Sequence, residues 1–208
     1  MFKRNEDNII YDVLHLINKK YSFLELGTGD GFNFSRLKNK DKASVDISPK
    51  GNPTFCMSTD DFFEINNKKY DICYIDASHV LENVLKDINN CISMGCKFIL
   101  IHDLYPKDLH HANPSLCGDG YKLLAYLMEK IISGEIEADA FTCIEDHGQT
   151  LFHDLNEPVD LKNFPYYNLS YKDFLKIFGS CKKRGFKVLN KEDFINSCVK
   201  KIEDKLYV

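Results

Sequence analysis

The sequence predicts a doubly wound α/β fold on a mostly parallel sheet, and three features carry that expectation. Short apolar runs alternate with helical stretches from Ser22 to Asp103. Several of these runs, such as "KFILIHD" at Lys97–Asp103, show little polar alternation, as strands covered on both faces do. A glycine-punctuated turn, "FLELGTGDGFNFSRL" (Phe23–Leu37), leads directly from an apolar run into a helical one.

Each element has its own signal. Asn5–Lys19 sets Ile9, Ile10, Val13, Leu14, Leu16 and Ile17 at helical spacing, which predicts an amphipathic lead-in helix. Strands are expected at Ser22–Leu26, Ala43–Ile47, Thr54–Met57, Tyr70–Asp76 and Lys97–Asp103. A helix is expected at Gly31–Lys38, at most a short one at Asp60–Glu64, and a longer one at His79–Ser93 with Val80, Val84, Leu85, Ile88 and Ile92 inward. Gly118–Ile132 reads as a helix with Leu123, Leu124, Leu127 and Ile131 on one face. Ala140–Ile144 and Thr150–Phe152 bracket "EDHGQ", a hairpin signal, so the last strands are expected to pair antiparallel. Two helices close the chain, Ser170–Phe178 and Asn190–Lys205, each opened by an N-cap residue with an acid three positions on.

Composition bounds the function. The 208 residues suffice for one α/β core, 44 % of them are apolar, and no low-complexity tract or internal repeat interrupts them. A net charge of −4 argues against a nucleic-acid partner, and the clusters Lys182, Lys183, Arg184 and Lys200, Lys201 read as solvated surface. No apolar run reaches membrane-spanning length, and Met1–Lys20 is too charged for a signal peptide. The eight cysteines form no C-x-x-C pair and fall mostly inside apolar patterns, which fits a reducing cytoplasm.

The glycine turn, Glu25-Leu-Gly27-Thr-Gly29-Asp-Gly31, is where a ligand is expected, beyond the carboxyl end of the first strand. A dinucleotide site wants G-x-G-x-x-G; this chain has G-x-G-x-G, with Phe32 and Asn33 where the helix begins. The acid two residues before the first glycine suits an ammonium or sulfonium, and Asp30 would repel a diphosphate. Asp46 ends the second strand in "SVDIS", placed to accept from two ribose hydroxyls. Together these residues point to S-adenosylmethionine.

E-x-G-x-G-x-G, "VDIS", "YDICYIDASH" and "FILIHD" resemble a class I S-adenosylmethionine-dependent methyltransferase. Within that superfamily the chain is similar to sugar and small-molecule O-methyltransferases with D-x-x-H after the fourth strand and H-D or E-D after the fifth. The likeness covers Ser22–Asp103 and continues more weakly through "GDGYKLLAYL" and "LSYKDFL". It implies a seven-stranded sheet with the last pair antiparallel, and one methyltransferase domain over 1–208: a lead-in helix over 1–20, a cofactor-binding core over 21–155 and a helical extension over 156–208. It also implies that Glu25, Gly27, Gly29 and Gly31, with Thr28 and Asp30 between them, line the methionine part. Asp46 and Ile47 take the ribose and adenine edge. Ser58 stands near the position of the family's adenine contact, although Thr59, Asp60 and Phe62–Phe63 read equally as a helix start with its core anchors.

Methyl transfer to a hydroxyl needs a base, and the resemblance places His79, three residues past Asp76, in that role; a helix N-terminus would help keep its imidazole neutral. Asp76 and Asp103 at neighbouring strand ends suggest a divalent metal, Mg2+ or another ion. His102 stands where the relatives carry an acid, so metal use with Asp76, His102 and Asp103 as ligands, or none, stays open, as does a role for Asp76 on the cofactor and for Asp103 in orienting His79. In the loop after Asp103, Tyr105, His110, His111, Asp119 and Tyr121 are candidates for a polyol substrate, while His147 and His153 read as structural or exposed. The acceptor is expected to be a small molecule or glycan, with no nucleic acid and no membrane insertion, and an oligomer is possible. Two alternatives stand beside an O-methyltransferase: a nicotinamide-dependent oxidoreductase and a catalytically silent cofactor-binding module.

Overall fold

In the computed structural model, which describes residues 8–206, the chain folds around one eight-stranded mixed sheet. Its strands are β1 (Phe23–Leu26), β2 (Lys42–Asp46), β3 (Phe55–Cys56), β4 (Ile72–Ile75), β5 (Phe98–His102), β6 (Asp139–Cys143), β7 (Gln149–His153) and β8 (Lys187–Leu189). They lie in the order β3-β2-β1-β4-β5-β7-β6-β8. β7 runs antiparallel to both its neighbours, and every other pairing is parallel. The hairpin expected around "EDHGQ" is the β6–β7 turn. Seven strands were expected; the eighth pairs with β6 at the sheet edge. Its three residues lie between Gly185 and the Asn190 cap, too short a run for an alternation signal.

The helices are α1 (Ile9–Leu16), α2 (Phe32–Arg36), α3 (Thr59–Ile65), α4 (Leu81–Met94), α5 (Tyr121–Ser133), α6 (Tyr171–Lys183) and α7 (Lys191–Lys205). The first three residues of the expected lead-in helix, Asn5–Asp7, lie outside the described residues, and Asn8 caps α1 by accepting from the Tyr11 amide. Ser170 and Asn190 cap α6 and α7 by accepting from the amides of Asp173 and Asp193. α2 is shorter than its periodicity suggested and buries no residue.

In-register parallel pairing sorts the strand side chains onto two faces. Leu24, Leu26, Cys73, Ile75, Ile99 and Ile101 share one core with residues of α4, α5 and α6. Phe23, Ile72, Tyr74, Phe98 and Leu100 share the other with α1 and α7. Burial on both faces explains why these strands read as unbroken apolar runs. The chain winds outward from β1 through β2 to β3, then returns to β4 on the other side of β1. The winding therefore reverses between β1 and β4, and crevices open at such a point.

Candidate active site

The glycine turn is built against the end of β4. Asp76 donates its amide to the Leu26 carbonyl at 2.8 Å, and Gly27 donates to Val45 at 2.9 Å. Gly27 has φ +90°, and a Cβ there would stand 2.1 Å from the Asp76 carbonyl oxygen, so only glycine admits this approach. Gly29 projects its amide toward β2, where Asp46 Oδ2 accepts it at 2.8 Å while Oδ1 accepts the Ser48 amide at 2.7 Å. Asp46 thus ties the turn to the end of β2, and each carboxylate oxygen keeps a further lone pair for a ligand.

A cavity of about 620 Å3 lies outside these strand ends. Thr28, Gly29 and Asn33 wall it on one side, and Asp46 and the 78 %-exposed Ile47 follow at the end of β2. Met57 and Ser58 come from the connection after β3 and Thr59 and Asp60 from the start of α3, and Asp76, Ala77, Ser78, His79 and Asn83 close it from the β4 side. Thr28 Oγ1 and Asn33 Oδ1 are buried with no hydrogen-bond partner in the protein. Such atoms at a cavity wall call for a polar ligand. Asn33 was not singled out as a ligand contact, because one amide in the first turn of a short helix carries no spacing signal.

Of the residues expected at the cofactor, Gly27, Thr28, Gly29, Asp46, Ile47, Ser58 and Asp76 line this cavity, and Glu25, Asp30 and Gly31 do not. Glu25 is buried in β1, in register with Tyr74. Asp30 accepts the Phe32 amide at 3.1 Å, and Gly31 is the N-cap of α2. Ser58 fills both roles weighed for its stretch: it lines the cavity and caps α3 by accepting the Asp61 amide at 3.1 Å, with Phe62 buried behind it.

Asp76, His79, His102 and Asp103 converge beside the cavity. His79 Nε2 lies 3.1 Å from Asp103 Oδ2 and 3.9 Å from Asp76 Oδ1. His102 Nδ1 lies 3.1 Å from Asp76 Oδ1 and 3.6 Å from Asp103 Oδ2, and its Nε2 donates to the Asp146 carbonyl at 2.8 Å. Asp103 holds φ +60°, a left-handed conformation that non-glycine residues adopt at a cost and often at functional sites.

The charges act on one another. Burial alone would raise the Asp76 pKa, but the His102 and His79 imidazoles hold it well below the usual carboxylate range. Burial alone would lower His102; Asp76, Asp146 and Asp103 hold it well above the ordinary imidazole value. Burial raises Asp103. For His79, the Asp76 carboxylate, with Asp103 beside it, raises the pKa against the effect of burial. This corrects the expectation of a helix terminus keeping His79 neutral: α4 starts only at Leu81, and carboxylates dominate the surroundings. Val80, expected inward, is the 42 %-exposed N-cap of that helix.

The loop after Asp103 places His79 rather than lining the cavity. Asp119 Oδ1 accepts the Leu81 amide at 2.7 Å, capping α4 from a distance, and the Asp119 amide donates to the His79 carbonyl at 3.2 Å. Gly118, with φ +65°, lets this loop cross the His79 backbone, where a Cβ would sit 1.7 Å from the carbonyl oxygen. The Tyr121 hydroxyl donates to Leu169, and Tyr105 packs on Phe174 and Phe178. His111 stacks on His147 with centroids 5.0 Å apart, His110 is exposed, and His153 is buried against Phe98.

No protein-family model matches the chain, and no curated protein does. Solved structures share its fold. One is the O-methyltransferase TomG of Streptomyces achromogenes, involved in tomaymycin synthesis and solved with S-adenosylmethionine: 12 % identity, TM-score 0.50, over 72 % of this chain and 81 % of that one. Another, from Klebsiella pneumoniae and assigned as an O-methyltransferase, has 14 % identity and a TM-score of 0.51 over 76 % of this chain and 84 % of its own. The chain has the Rossmann-like methyltransferase fold. At these identities the likeness is one of fold. Among the described residues no helix is long and apolar enough to cross a membrane.

Proposed function

We propose that the chain is an S-adenosylmethionine-dependent O-methyltransferase that methylates a hydroxyl of a sugar, glycan or related small molecule, all of 1–208 forming one such domain. The observation that carries this reading is the cavity at the winding reversal, with the Asp46 carboxylate on one wall and His79, backed by Asp103, on another. The cavity residues suit the cofactor. Thr28 Oγ1 and Asn33 Oδ1 offer unpartnered polar atoms to an amino-acid group, Asp46 offers lone pairs to ribose hydroxyls, and Ile47 and Met57 offer apolar surface to a purine. The S-adenosylmethionine complex of TomG supports the same choice.

When bound, S-adenosylmethionine supplies a methyl group on a positively charged sulfur. His79 supplies the base. Asp103 Oδ2 accepts the Nε2 hydrogen and leaves the Nδ1 lone pair to take the acceptor proton, the orienting logic of a base held by a carboxylate. A base so placed contributes ~10²–10⁴-fold.

A divalent ion fits beside it. Ligand atoms of Asp76, His102 and Asp103 all lie within 4.8 Å of one another. The Nε2 hydrogen of His102 is already placed on the Asp146 carbonyl, as the outer nitrogen of a ligating imidazole usually is. Two carboxylates and an imidazole favour Mn2+, Fe2+ or Zn2+ over Mg2+. An ion held there would lower the pKa of the acceptor hydroxyl and fix its oxygens.

Calorimetric titration with S-adenosylmethionine and separately with NAD+, each with Mg2+, with Mn2+ and with chelator, tests the reading. Binding of S-adenosylmethionine alone is expected, with Mn2+ held more tightly than Mg2+. A preference for NAD+ would return the chain to the oxidoreductases, and turnover that survives exhaustive chelation would retire the metal.

A further inference from the structure

The most unusual buried group lies behind the cavity wall. Asp87 sits on the inward face of α4, between Val84 and Cys91 in a stripe that is otherwise apolar, and is 1 % exposed. Among the described residues neither of its carboxylate oxygens makes a well-formed hydrogen bond, and the Thr59 hydroxyl is the one side-chain donor that acts on it. An ionised carboxylate in that setting carries a large desolvation cost, which favours the protonated form.

Its neighbours connect it to the cavity. α3 packs against α4, and Lys86, adjacent to Asp87, reaches across to Asp60 Oδ2 at 3.0 Å. Thr59 and Asp60 begin α3 and line the cavity, as does Asn83, one turn before Asp87 on α4. Burial raises the Asp87 pKa to about 7, the Thr59 hydroxyl opposes this, the Asp60 carboxylate adds to it and the Lys86 ammonium opposes it. Among the described residues, Asp60 on α3 and Lys86 on α4 are the charged groups acting on it.

We propose that Asp87 is a positioning residue for the wall formed by Thr59, Asp60 and Asn83: neutral, it lets α3 close on α4 and shape the nucleoside end of the cavity; ionised, it admits water between the helices and loosens that wall. The proposal rests on the cofactor reading above. Because the ligand-competent wall retains the Asp87 proton, binding and protonation are linked. Affinity therefore falls with rising pH once the free protein begins to lose that proton, by up to about tenfold per pH unit.

The test uses 5′-methylthioadenosine, which carries the nucleoside and thioether but no titratable amine, so the ligand adds no slope of its own between pH 6 and 9. Its Kd is measured by calorimetry on the full chain and on Asp87→Asn. The wild-type Kd is expected to rise about tenfold or more between pH 7 and 9, while Asp87→Asn stays flat within about twofold and matches the wild type at pH 6. Asp87→Leu, which continues the apolar stripe, is the second neutral variant should the amide fold poorly; it is expected to be flat too. Equal slopes in wild type and a neutral variant would overturn the role of Asp87 and leave the cofactor reading standing. No binding of 5′-methylthioadenosine at pH 6 while S-adenosylhomocysteine binds would overturn this inference alone; no binding of either would overturn the cofactor reading, and this inference with it.

Discussion

His79, between β4 and α4, and Asp103, directly after β5, meet at 3.1 Å between Nε2 and Oδ2, and the Asp103 backbone holds φ +60°. Replacing His79 by Ala removes the base proposed above and leaves the Gly29–Asp46 side of the cavity untouched. Turnover is expected to fall by ~10²–10⁴-fold while the S-adenosylhomocysteine Kd changes by about twofold at most. Asp103→Asn should keep part of the activity, since the amide still offers an acceptor oxygen. Initial rates and calorimetry on the same preparations check both, and a His79→Ala protein as active as wild type would remove His79 from the chemistry.

Asp46 accepts two amides, that of Gly29 from beyond β1 and that of Ser48 two residues on in its own loop. Asp46→Ala leaves both donors without that partner and takes the acceptor from the cavity wall. Hydrogen bonds to a charged group are worth roughly 1.5–3 kcal/mol. Cofactor affinity should therefore drop by about ten- to a hundredfold, a change that calorimetry resolves.

Gly27→Ala places a methyl group 2.1 Å from the Asp76 carbonyl at a φ that alanine disfavours. The strand ends must separate. We expect at least ~2 kcal/mol of lost stability, read as a lower urea midpoint, and loss of cofactor binding in the fraction that folds. An alanine variant of unchanged midpoint would mean that this contact is not tight in solution.

The Asp87 carboxyl has a folded-state pKa of about 7 against 3.8 unfolded, so the folded protein binds the extra proton. Its contribution is complete below the unfolded value and is lost as pH rises from about 4 through 7. Integrated over that window the loss amounts to up to roughly 4 kcal/mol. Asp87→Asn has no such proton to lose. The difference between the two proteins in unfolding free energy should shift in favour of the variant between pH 4 and 8; urea titrations at a series of pH values that give parallel curves would refute a buried neutral acid.

Much of the fold was legible because its signals are local. Glycines at 27, 29 and 31 followed by a helix, Asp46 at the end of an apolar run, and caps at Ser170 and Asn190 with acids three residues on are each marked by residues adjacent in the chain, even where, as for Asp46 and Gly29, the partner lies farther off. The strands were recognisable because burial on both faces demands near-continuous apolar runs, and the β6–β7 hairpin because its turn residues are adjacent in sequence.

What lay beyond reading depends on register and long-range packing. Nothing near His102 announces that its Nε2 will meet Asp146, 44 residues on. Asp119 caps a helix 38 residues before it, a partnership that exists only because Gly118 lets the loop cross the His79 backbone. The three-residue β8 gains its place from β6 rather than from its own pattern. By itself, then, the sequence determined the kind of sheet, the turn that faces the cavity and the D-x-x-H pair, since each follows from neighbours along the chain. Tertiary structure alone decided the orphaned Asn33 oxygen, the carboxylates gathered around His102 and the burial of Asp87, because the environment of a polar group is set by whatever distant segments the packing of both sheet faces brings against it.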